Sequence, residues 1–150
     1  MSNFPPSDAA VRAWTRLMRA QSLALSVIEA ELKRGGFPPL GWYDLLLEVR
    51  RGEPDGLRPY EIEARLLLAQ HNVSRLIDRV AAAGYAERRP CAEDGRGHRV
   101  HITDAGRDLL TRMWPVYGAA IQRHIGDKLG ADAGGLADLL ERVIRAKPQT

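Results

Sequence analysis

The sequence predicts a mainly α-helical domain that carries one short β-hairpin. Three observations predict it. Apolar residues recur at threes and fours over most of the 150 residues, the period switches once to two just after Gly84, and glycine or proline clusters mark the breaks. The length suits one domain, read here as residues 1–150. A composition 45% apolar and 27% charged can bury a core without a disulfide or metal staple.

From Ser7 to Arg34, Val11, Trp14, Leu17, Met18, Leu25, Ile28 and Leu32 form one amphipathic stripe. Ser7 or Asp8 can cap this helix, and Gly35-Gly36 ahead of Pro38-Pro39 ends it. Trp42 to Val49 is a second, strongly apolar helix, stopped by Gly52-Glu53-Pro54-Asp55-Gly56. Pro59 fits the first position of a short helix from Tyr60 to about Leu66, where its missing N–H costs nothing. The next helix is read over Gln70 to Ala83. Val73, Leu76, Ile77 and Val80 share one face, while His71, Arg75, Asp78 and Ala82 lie opposite, flanked by Ser74 and Arg79. Gly84 is its stop.

Tyr85 to Arg89 and His98 to Ile102 then read as strands, with Arg96 between Gly95 and Gly97 at the hairpin tip. Thr103 is the expected cap of a long helix to about His124, kinked near Pro115 and Gly118. A last helix uses Leu136, Leu139, Leu140, Val143 and Ile144, after a break at Gly134-Gly135. Long helices over 7–34 and 104–147 thus bracket a module over 40–103.

Net charge is only +3, but the charges are unevenly placed. Between Arg65 and His101 seven arginines face four acids, and three of the four histidines lie there too. Such a segment is the footprint of an anion-binding face. Mean hydropathy is −0.30, no apolar run could span a bilayer, and residues 1–8 lack the basic and apolar regions of a secretory signal. With Cys91 as its one cysteine, the chain is expected to be cytoplasmic, with no membrane partner. Cys91, Asp94, His98 and His101 lack the spacing of a metal site, and no nucleophile or phosphate-cradling motif stands out. We therefore expect no catalytic residue, metal or cofactor, and no redox role for Cys91.

Two short helices, a tight turn, a glycine-stopped helix and an arginine-tipped hairpin make a winged helix-turn-helix. One face of the Gln70–Ala83 helix can dock on a core. The other offers an imidazole, a hydroxyl and a guanidinium to base edges in a major groove. Arg96, between glycines, can enter a narrow minor groove.

The runs Glu61 to Val80, Ala83 to Pro90 and Asp94-Gly-Arg-Gly-His-Arg-Val-His-Ile-Thr-Asp-Ala-Gly106 resemble the MarR-type transcriptional regulators. The likeness covers about residues 40 to 110. Cys91 stands where an Asp or Asn is frequent, His98 and His101 are atypical, and Ala69 lacks the usual hydroxyl cap. The resemblance implies a homodimer paired through the terminal helices, binding a palindromic operator in double-stranded DNA. It places Gln70, His71, Asn72, Ser74 and Arg75 at the bases, Arg79 and Arg89 at the backbone, and Arg96 at the wing tip, with Asp94 orienting the wing arginines. It also implies a repressor released by a small aromatic or phenolic effector. Trp14, Trp42, Tyr43, Trp114 and Tyr117 are candidates to line its pocket; core packing explains the same residues equally well. The alternative from another class is a winged-helix module whose basic face binds an acidic protein.

Overall fold

Ser7 caps the first helix, its Oγ accepting from the amide of Ala10 at 3.1 Å. From there α1 spans Asp8–Arg34 in a computed structural model that describes residues 3–91 and 97–145. The helix closes at Gly35-Gly36 as the glycines predict: the Gly36 amide donates to Lys33 and that of Phe37 to Leu32, both at 3.0 Å. Next come α2 (Leu40–Arg51), which starts two residues earlier than its apolar run predicts, and α3 (Pro59–Arg65), with Pro59 in its first position.

The fourth helical expectation needs correction. α4 covers Val73–Ala82, so it begins three residues after Gln70. The cap is Asn72, whose side-chain oxygen accepts from the amide of Arg75 at 2.9 Å. Ala69 and Gln70 offer no comparable acceptor, and the chain enters the helix only where one exists. At the other end Gly84 takes φ +88, letting its own amide reach Ala81 (2.9 Å) and that of Tyr85 reach Val80 (3.2 Å).

Strands β1 (Ala86–Pro90) and β2 (His98–Ile102) pair antiparallel, with Ala86 opposite Ile102 and Pro90 opposite His98. Leu57 adds a bridge on the free side of β2, exchanging both backbone hydrogen bonds with Val100 at 3.1 and 2.7 Å. Thr103 then starts α5 (Asp104–Ile121): its Oγ accepts from the Gly106 amide at 3.1 Å and donates to the Gly84 carbonyl at 2.7 Å.

α5 runs through Pro115, and five residues of π-helix follow over Gln122–Gly126. Then come α6 (Asp127–Leu129), a 3₁₀ turn and α7 (Ala133–Arg145). The break falls at Gly130, which has φ +52, and not at Gly134-Gly135, which lie inside the first turn of α7. Among the described residues no helix is long and apolar enough to cross a membrane.

The chain divides into two units, residues 32–117 and residues 1–31 with 118–150. The first holds a dense core: Leu45, Leu46 and Val49 of α2, Ile62 of α3, Ile77 and Val80 of α4, Val100 of β2 and Leu109, Leu110 and Met113 of α5 are all fully buried. In the second unit Ile28 and Ala120 are the buried apolar side chains among the described residues. Trp14 at 61% exposure, Leu23, Leu139, Val143 and Ile144 stand in solvent there. Within this unit Glu31 accepts from His124 Nε2 at 3.0 Å and from Arg123, and these partners hold its carboxyl below the usual range.

Gly106, in the first turn of α5, shows why the Thr103-Asp-Ala-Gly106 run ends in a glycine. A Cβ there would overlap the Tyr85 carbonyl oxygen and crowd Ile102 at 2.8 Å. The obstacle is backbone and cannot swing away. Gly106→Ala should therefore destabilise by about 1–3 kcal/mol, the usual cost of overpacking, despite a gain of up to about 1 kcal/mol in helix propensity. Urea unfolding checks this; a stabilised variant would refute it.

Candidate nucleic-acid interface

α4 docks through Val73, Leu76, Ile77 and Val80, all buried, and turns Ser74, Arg75, Asp78 and Arg79 to solvent. Neither Arg75 nor Arg79 has a carboxylate partner among the described residues. His71 lies exposed in the turn ahead of the helix, and Asn72 spends its oxygen on the cap, leaving its amide NH₂ to donate. Gln70 is drawn inward. It is half-buried, and its Nε2 lies 2.9 Å from where a Cβ on Gly41 would stand.

The wing strand is tied to α4 by Arg88, a residue the sequence reading passed over. Its Nη2 donates to Asp78 Oδ1 at 2.9 Å and, at 3.3 and 3.4 Å, to the carbonyl and hydroxyl of Ser74. The signal was Ser74 and Asp78, one helical turn apart, facing a strand arginine. Arg89, expected at the DNA backbone, folds onto Glu87 of its own strand, Nε to Oε1 at 2.7 Å. Arg96 and Asp94 lie outside the described residues; at the edge of that segment the Cys91 amide donates to the Gly97 carbonyl at 3.2 Å.

A second missed residue is Asp44. This acid sits within the apolar run of α2 and is buried, yet both its oxygens are used: Oδ1 accepts from the Leu67 amide at 3.1 Å and Oδ2 from the Leu68 amide at 2.8 Å. A buried acid needs partners. The sequence shows that the acid exists; it does not show that its partners are backbone amides in the turn between α3 and α4.

Residues 36–97 match the MarR family model. Across 91 residues the chain is 34% identical to the uncharacterised HTH-type transcriptional regulator YkoM of Bacillus subtilis (strain 168), covering 61% of this chain and 57% of that protein. Across 72 residues it is 31% identical to the HTH-type transcriptional regulator PecS of Dickeya dadantii (strain 3937), 47% of this chain and 43% of that one. The chain thus spans about half the length of the curated relatives it matches. Over residues 36–97 the chain is similar to the MarR family. The MarR fold extends further: Sco3205 of Streptomyces coelicolor, a MarR family transcriptional regulator solved in complex with DNA, superposes with a TM-score of 0.82 at 21% identity, over 95% of this chain and 91% of that one.

Of the five aromatics considered for an effector pocket, three come together. Tyr43 stacks on Trp114 with centroids 6.4 Å apart, and Tyr117 meets both edge-on at 5.1 and 5.7 Å. Trp42 instead packs edge-on against Tyr85 at 6.1 Å, and Trp14 belongs to the other unit. Two cavities share Tyr43 as a wall. One, of about 480 Å³, lies against Leu40, Asp44, Leu66 to Leu68 and Tyr117. The other, of about 470 Å³, lies against Arg50, Arg51, Leu110, Thr111 and Trp114. Burial pushes both phenols up, with the Asp44 charge adding to the effect at Tyr117, so their hydroxyls stay donors at neutral pH. Among the described residues no cluster of His, Cys, Asp or Glu is placed to hold a metal ion.

His101, on β2, contributes less positive charge than its place in a basic segment suggests. Burial pushes its pKa below the ordinary value, and Arg89 and Arg99 push the same way against the smaller pull of Glu87 and Glu53. A folded pKa below the unfolded one means that acid favours the unfolded chain. The loss begins as pH falls through about 6.5 and levels off below the folded value. His101→Gln should therefore gain on the wild type in urea midpoint between about pH 7.5 and about pH 5. A constant gap between the two proteins across that window would refute this.

Proposed function

We propose that the chain is a non-enzymatic, sequence-specific DNA-binding regulator of transcription, a homodimer that represses from a palindromic operator until a small aromatic or phenolic effector releases it. One observation carries the reading. α4 is held by its cap, its buried face and Arg88, and it presents Arg75 and Arg79 with their charge unneutralised by any carboxylate among the described residues. Rigid, unpaired guanidiniums on an exposed helix suit phosphates and guanine edges. Sco3205, which shares the fold, is solved in complex with DNA, and this supports DNA as the partner.

In this reading His71, Asn72, Ser74 and Arg75 meet bases, while Arg79 and Arg89 meet the backbone. Arg96, with Asp94, serves the wing tip. Gln70 reaches a base only by leaving Gly41. A duplex selected by the wild-type chain from a random-sequence pool tests the assignment. Arg75→Ala should lose about 1–3 kcal/mol on that duplex and blur base preference. Arg79→Ala should weaken selected and scrambled duplexes alike and flatten the salt dependence by roughly 0.9 log units per log salt. Negligible effects of both would mean the DNA-facing surface is elsewhere, and binding to an acidic protein would then be the reading to pursue.

The exposed apolar faces of α1 and α7 support the homodimer. A helical unit with so few buried side chains has no core of its own, and the same stripes on a second copy cover them isologously. Deleting residues 133–150 should leave a monomeric or insoluble chain by light scattering. A well-folded truncated dimer would sink that part of the proposal.

The cavities flanking Tyr43 support an effector site, since they combine stacked rings with guanidiniums and phenolic donors. A ligand acts only through its preference for the DNA-incompetent state, on the order of 5.5 kcal/mol for a reversal from 99:1 to 1:99. Salicylate should quench tryptophan fluorescence and release the selected duplex over one concentration range. Quenching without release would make the chain a constitutive binder.

A further inference from the structure

We infer that Asp44 is a positioning residue for DNA recognition, a buried carboxylate that clamps the backbone of the α3–α4 turn and so sets where the N-terminus of α4 stands. The inference rests on α4 being the DNA-facing helix.

The turn after Arg65 has few other means of being held. Leu66 still bonds back to Ile62 at 3.0 Å, but the next two amides leave the helix, and each finds one oxygen of Asp44. Leu67 gives no anchorage through its side chain, which is 76% exposed. Two amides on two oxygens fix orientation as well as distance, and hydrogen bonds to an ionised acceptor are the stronger kind. One helical turn earlier on α2, Gly41 leaves room for the Gln70 amide to lie close, so α2 meets the same turn at a second point.

Three residues separate Leu68 from the cap at Asn72. A shift of the clamp is therefore passed to the first turn of α4, where Ser74 and Arg75 stand; Arg88 ties Ser74 and Asp78 to β1, and the Gly84 closure holds the far end. The backbone amides of the turn are bonded to a side chain 23 and 24 residues away, which makes the position of α4 depend on α2 through one carboxylate.

Asp44→Asn is the test, because the amide keeps the shape but presents one acceptor and one donor to two N–H groups. Affinity for the duplex that the wild type selects should fall by about tenfold or more, while affinity for a scrambled duplex stays within about twofold. A merely structural role would lower both together through the folded fraction. Glu48→Gln, a change at the neighbouring buried acid that bonds Arg51 at 2.7 Å, should leave the ratio intact. An unchanged ratio in Asp44→Asn, or an equal loss in Glu48→Gln, overturns the proposal. Should Asp44→Asn not fold, hydrogen exchange on the wild type decides. Leu67 and Leu68 amides as protected as that of Ile77 support the clamp, and exchange at the rate of open loop amides overturns it. A pool from which the wild type enriches no sequence overturns the DNA-binding reading itself, a result distinct from each of these.

Discussion

The winged unit depends on a carboxylate that the interior of α2 could hold only at a cost. Burying an ionised acid is unfavourable by several kcal/mol unless hydrogen bonds replace the lost water. At Asp44 the replacement is the backbone of the turn between α3 and α4, whose own N–H groups would otherwise be left without helix or sheet partners. Each side answers the other's need. The apolar core of Leu45, Leu46, Val49, Ile62, Ile77 and Val80 supplies the driving force, but packing of aliphatic side chains is weakly directional. Hydrogen bonds with fixed geometry give the turn its orientation.

The same logic recurs along the exposed side of α4. Asn72 starts α4, the closure at Gly84 ends it, and Arg88 bridges from β1 to Asp78 and Ser74. None of these contacts adds much apolar burial. Together they fix a ten-residue helix too short to be stable alone in water. Thr103 does similar work at the next junction, joining Gly84 to the start of α5 through one hydroxyl. Recognition by Arg75 and Arg79 in the proposed reading draws on that rigidity, since side chains on a loosely held helix would lose more entropy on binding.

Asp44 also forms part of the wall of the larger cavity beside Tyr43 and Tyr117. The group that holds the turn and the group that an occupant would meet are thus one residue. In the other unit the apolar stripes of α1 and α7 find no such internal answer, which is why a second copy enters the functional reading.

The sequence by itself determined the element order, most boundaries and the class of surface. These rest on local chemistry: Ser7 and Thr103 as caps, Gly35-Gly36 and Gly84 as stops, Pro59 in a first turn, and the stripe Val73, Leu76, Ile77, Val80. The start of α4 is equally local: Asn72, two residues inside the predicted start, is a better cap than Ala69 or Gln70. Only the tertiary structure decided what Asp44 and Arg88 bond to, that Gln70 turns toward Gly41, and that Tyr43, Trp114 and Tyr117 cluster while Trp42 joins Tyr85. Periodicity tells which face of a helix is buried. It carries no information on which distant backbone amide or ring arrives there, since that depends on how separate elements cross in space.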